Sequence, residues 1–157
     1  RYARIRPVKT RIEEIAEFAK KMNYRRLGLA FCVGLRREAR IVADLYTASN
    51  FEIVSVICKA GCSDKNQIGL TDEEKIIRHQ PEAMCNPIMQ AMVLNQAETE
   101  LNILLGLCVG HDSLFLKEAQ APCTVLAVKD RVLGHNPLAA VYTSKSYYRS
   151  LLTPSQD

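Results

Sequence analysis

The sequence predicts an α/β fold, a three-layer sandwich with a mainly parallel four-stranded sheet in the order 2-1-3-4 and helices on both faces. Three observations predict it. Short apolar runs at 27–33, 51–58, 101–109 and 123–128 read as buried strands. Segments with helical spacing alternate with them, the pattern of parallel strands joined by crossovers. The connection between the second and third runs, about 59–100, is long. With right-handed crossovers, that carries the chain to the far side of the first strand.

Each element has a local reason. Thr10 and Glu13 make a capping-box pattern, and Val8, Ile12, Ile15, Ala19 and Met22 recur at helical spacing behind it. "LGLAFCV" is the first strand, stopped by Gly34; Leu35, Ala39, Val42 and Leu45 give the next helix. "FEIVSVIC" is rich in β-branched residues and reads as the second strand. A polar loop, "KAGCSDKNQIG", follows it. Thr71 and Glu74 predict a capped helix that Pro81 stops, and Asn86-Pro87 predicts another, with Asn as cap and Pro in the first turn. "LNILLGLCV" is the third strand, with Asp112 as the expected cap of the helix "SLFLKEAQ". "CTVLAV" is the fourth, and Asn136-Pro137 opens a last helix to about Leu152. Residues 1–152 then form one domain and 153–157 a loose tail.

Composition sets the class. At 157 residues, 48% hydrophobic and 24% charged, the chain is an ordinary globular one. No apolar run reaches membrane-helix length, so no membrane partner is expected. Residues 1–26 carry nine Lys/Arg against three Asp/Glu, but without interleaved aromatics; this reads as a solvated helix face, and nucleic acid is not expected as a partner. Six cysteines in a chain too long to need staples suit a cytoplasmic protein whose thiols serve packing, metal or reactivity.

Ligands of such sheets bind beyond the carboxyl ends of the strands, where the winding reverses. Cys32, Cys58 and Cys108 all stand at strand ends, with Cys62 in the loop after the second. His111 and Asp112 follow the third strand, and Lys129, Asp130, Arg131 and His135 follow the fourth. Cys85 precedes an Asn-Pro helix start, and helix N-termini favour thiolates. Gly34 and Gly110 close strand-to-helix turns without completing a phosphate-loop fingerprint. Cys123, at the opposite end, reads as core, and His79 as a surface residue.

The segments "AFCVGL", "CNPIMQA", "LNILLGLCVGHDSLF", "APCTVLAVKDRVLGHNP" and "AAVY" resemble the uncharacterised family called domain of unknown function 1847. The resemblance implies a metal-binding protein of the kind found mostly in anaerobic bacteria and archaea. It carries over to Cys32, Cys85, Cys108, His111, Asp112, Lys129, Asp130, His135 and Asn136. It also implies a further cysteine-containing segment ahead of the matching region as a second source of ligands.

Three readings follow. The leading one is a zinc or iron–sulfur site held by Cys32, Cys58, Cys85 and Cys108, with His111 or His135 as further donors. The second is a thiol-dependent enzyme or redox protein. Its nucleophile is Cys108, its base is His111 or His135, and Asp112 or Asp130 orients that base, with Lys129 nearby. The third is a module for a small anionic ligand, using Lys59, Lys129, Arg131, Gly34, Gly110 and the Asn136 helix start.

Overall fold

A computed structural model describes residues 8–153. Four strands form one sheet in the order β2-β1-β3-β4, with every pairing parallel. They are β1 (Arg26–Phe31), β2 (Glu52–Ile57), β3 (Leu101–Leu105) and β4 (Cys123–Ala127). The predicted fold and strand order are the observed ones.

Period-two alternation divides the core between two faces. Leu27, Leu29, Leu101, Ile103 and Leu105 pack against helices α1 (Arg11–Lys21) and α2 (Arg36–Ala48). Ala30, Val56, Leu104 and Leu107 pack against α3 (Pro87–Gln96) and α4 (His111–Glu118) on the other face. β3, one of the two inner strands, is buried along its whole length. Gly28 is required where α3 crosses the sheet, since a Cβ there would stand 2.1 Å from Asn102 Oδ1. Asn102 is fully buried, and the same oxygen accepts the Thr99 hydroxyl at 2.8 Å.

Several local expectations change. The α1 capping box forms, with Thr10 Oγ1 accepting the Glu13 N–H and Glu13 accepting the Thr10 N–H, but Val8 and Met22 at the ends of that stripe are exposed. Tyr46, not Leu45, completes the inward face of α2. Thr71 and Glu74 make their box around a single 3-10 turn, Asp72–Glu74, and no helix runs on to Pro81. Lys75 leaves helical geometry there to bury its side chain against Asp72, Asp64 and the Gln80 carbonyl. The long connection therefore carries one α-helix. α4 is capped by Gly110 at φ 83°, while Asp112 lies inside its first turn and accepts the Ser113 N–H. The last helix, α5, is only Leu138–Tyr142, with Pro137 rather than Asn136 at its cap position; a 3-10 turn at Arg149–Leu152 follows. From residue 154 the expected tail lies outside the described residues. No helix among the described residues is long and apolar enough to cross a membrane.

Candidate metal and thiol centre

The carboxyl edge of the sheet gathers thiols because the hydrogen-bond ladder continues past the strands. The Cys58 N–H donates to Phe31 O at 2.9 Å and the Cys32 N–H to Leu105 O at 3.2 Å, so both follow their neighbours in register. Gly106 has φ 64°, and a Cβ there would meet Leu35 Cδ1 at 2.2 Å and Lys129 Nζ at 3.6 Å. Its lack of a side chain lets Leu35 and Lys129 approach the edge. A register shift between Leu104 and Leu105 against β4 falls at the same place, as bulges beside sites commonly do.

Cys32 is 6% exposed. Burial pushes its thiol up, but the Gly34 backbone N–H and the Lys129 ammonium outweigh burial and hold it below the usual thiol value. Cys58, 3% exposed, has the opposite balance. Burial pushes it up to about 12, and the nearby Cys85 and Cys32 add to this, although its Sγ accepts the Val33 N–H at 3.3 Å. Cys58 Sγ and Cys85 Sγ are 3.7 Å apart. Cys85 immediately precedes α3, whose cap Asn86 accepts the Met89 N–H and donates its own N–H to Cys58 O at 2.8 Å.

Cys32 and Cys85 border a cleft of about 450 Å³, within the range of small-molecule sites. Cys32, Cys85, Cys108 and His111 line one side. The 59–85 loop supplies an apolar wall of Ile68, Leu70, Ile76 and Met84, with Lys65 ion-paired to Glu82 beside it. Arg131 donates to Cys108 Sγ at 3.6 Å. The loop is shaped by pairing of its own arms, with Asp64 bridging antiparallel to Ala83, and by Lys75 held between Asp64 and Asp72. Backbone N–H donation by Asn66 is the main cause that holds the Asp64 carboxyl below its usual range; for Asp72 it is the hydrogen bond from Lys75.

The remaining predicted residues divide. Lys59 lines the cleft but donates to the Ala83 carbonyl. Asp130 and His135 serve a turn. The Asp130 carboxylate accepts the Val132 and Leu133 N–H groups, and its own N–H donates to His135 Nδ1 at 3.1 Å. Asn136 is exposed, and Gly110 has open space around it. Cys62 is exposed, and Cys123 is half-buried at the amino end of β4. His79 is exposed near Asp72. The loop's contribution was hidden from sequence reasoning, because the pairing of Lys65 with Glu82 across it is seen only in three dimensions.

A thiophilic ion suits the Cys58–Cys85 pair. With Zn–S bonds near 2.3 Å, two tetrahedral thiolates stand about 3.8 Å apart, close to the 3.7 Å found. Among the described residues no three His, Cys, Asp or Glu side chains converge as a ligand set.

A family described as "Protein of unknown function (DUF1847)" matches residues 1–126, and the chain belongs to it. The chain is 51% identical over 144 residues to uncharacterized protein MJ0455 of Methanocaldococcus jannaschii, covering 92% of this chain and 72% of that one. Among solved structures, Dph2 from Pyrococcus horikoshii, crystallised with a 4Fe-4S cluster, aligns over 92% of this chain at 16% identity and a TM-score of 0.47. The chain spans 33% of that protein's length.

Proposed function

We propose that this member of the family is a metal-binding protein with a zinc or iron–sulfur thiolate centre at the carboxyl edge of its sheet. Cys58 and Cys85 anchor it, and Cys32 and Cys108 are the further thiolate donors. The observation that carries the reading is the 3.7 Å separation of Cys58 Sγ and Cys85 Sγ, the spacing of two ligands on one tetrahedral ion. A third donor has to close on the pair as the ion enters. Cys32 is the nearest candidate, since its thiol already interacts with Cys58. Bound zinc would supply a structural tie or a Lewis acid, and a cluster would supply an electron-transfer group. The chain's own residues gather the donors, shield them under the 59–85 loop and offset thiolate charge with Lys129 and Arg131. Six free cysteines suit a reducing, cytoplasmic compartment.

Anaerobic purification with metal analysis and a visible spectrum tests this. Stoichiometric metal in wild type and in Cys123→Ser, with none in Cys85→Ser, is the expected result. Metal-free wild type whose melting temperature ignores chelators would overturn it.

A second reading has its own observation. Cys32 is held below the usual thiol value by the Gly34 N–H and the Lys129 ammonium beside it, the setting of a reactive cysteine. On that reading Cys32→Ser abolishes activity with little change in stability.

A further inference from the structure

We infer that Cys58 and Cys85 form a reversible disulfide in the metal-free protein, a modification that staples the base of the 59–85 loop. The inference shares its thiol pair with the metal reading but does not depend on a metal being bound.

The two sulfurs are 3.7 Å apart, and a disulfide needs about 2.05 Å, so they must approach by about 1.7 Å. The backbone is already arranged for this. The Asn86 N–H donates to Cys58 O at 2.8 Å, tying the chain beside Cys85 to Cys58 itself. The Met84 N–H donates to Ser63 O at 2.8 Å, and Asp64 bridges to Ala83, so the two arms of the loop are zipped together next to the pair.

Of the remaining thiols, Cys32 also touches Cys58 but is buried beside Lys129. Cys108 faces Arg131, Cys123 donates to the Ala121 carbonyl at the far edge, and Cys62 is exposed on the loop.

Exposure orders the steps. Cys85 lines the cleft, whereas Cys58 is 3% exposed behind it. A low-molecular-weight disulfide entering the cleft is attacked by Cys85 as its thiolate. A mixed disulfide forms, and one thiolate departs and takes up the proton that Cys85 lost. Cys58 then loses its proton, attacks Cys85 Sγ and expels the second thiolate, which is protonated in turn. The balance is one small disulfide reduced to two thiols and one protein dithiol oxidised. The product closes a covalent ring around the loop that forms the apolar wall of the cleft. Oxidation therefore fixes that wall beside Cys32, Cys108 and His111.

The test uses the whole protein, chelator-treated under argon and then incubated with oxidised glutathione. Free thiols are blocked with N-ethylmaleimide, and the digest is mapped by mass spectrometry without reductant. The expected result is a Cys58–Cys85 linked peptide, with alkylatable thiols falling from six to four. Dithiothreitol should reverse it. Cys62→Ala should keep the linkage and Cys85→Ser should lose it. Trypsin should also cut the loop at Lys65 and Arg78 severalfold more slowly after oxidation. Six alkylatable thiols after oxidation, or a linkage through Cys62 or Cys32 instead, would overturn the inference. The two proposals fail separately. Protein purified without metal that still forms this linkage sinks only the metal reading. Protein that binds metal, but whose metal-free form keeps both thiols, sinks only the disulfide.

Discussion

Cys32 and Cys123 sit at opposite ends of one sheet and titrate in opposite directions. Burial raises the Cys123 thiol with little to oppose it. Cys32 is the less exposed of the two, yet a backbone N–H and an ammonium reverse the balance. The apolar groove near Cys123, between α1 and β4, holds no second thiol, while the carboxyl edge collects several. The lesson concerns backbone direction. In a parallel sheet every strand delivers its following loop and helix start to the same edge, so the thiols that follow β1, β2 and β3 gather there.

The largest expected break in this contrast is metal content. Cys85→Ser should weaken metal affinity by at least about 100-fold, since loss of a direct ligand exceeds the effect of outer-shell changes. Cys123→Ser should leave metal content unchanged by elemental analysis.

Two glycines sharpen the comparison next. Ala at Gly28 collides with Asn102 Oδ1, and Ala at Gly106 collides with Leu35 at positive φ. Each should cost about 2–4 kcal/mol in urea unfolding. Only Gly106→Ala should also disturb Lys129 and so move the titration of Cys32. Gly110→Ala, with open space at φ 83°, should cost about 1 kcal/mol through backbone strain alone.

The pH dependence of the metal-free protein comes third. The folded value of Cys32 is depressed, so its ionised form adds stability above the unfolded thiol pKa, lost as pH falls through the folded value. The raised values of Cys58 and Cys123 act oppositely, with their contribution complete below the unfolded pKa and lost as pH rises. For Cys58 that loss extends up to about 12. Alkylation followed across pH should give a lower midpoint for Cys32 than for Cys123, and Lys129→Met should raise the Cys32 midpoint. Equal midpoints would remove the contrast between the two edges.

The smallest effect is on the loop. Lys75→Met removes the cation between Asp64 and Asp72. Limited proteolysis should then cut residues 59–85 faster, with little change in melting temperature, because that loop adds few side chains to the two core clusters.

By itself the sequence determined the layers and their order. Buried runs such as "LNILL" admit a central strand, crossover handedness leaves few topologies, and local caps such as Thr10–Glu13 and Asn86 specify their own helix starts. The convergence of Cys32, Cys58 and Cys108 on one edge followed from the same logic, because strand direction is a property of the connections. Tertiary structure decided what was not local. Thr71–Glu74 has the capping-box signature, but burial of Lys75 between two carboxylates ends the helix after one turn. His135 and Asp130 have the chemistry of a base and its orienter, but the chain folds back so that the Asp130 carboxylate accepts the Val132 and Leu133 N–H groups while His135 Nδ1 accepts the Asp130 backbone N–H. Cys85 came beside Cys58 because the next residue, Asn86, donates its backbone N–H to the Cys58 carbonyl. Such pairings depend on three-dimensional closure of a loop, and neither spacing nor periodicity encodes where a loop returns.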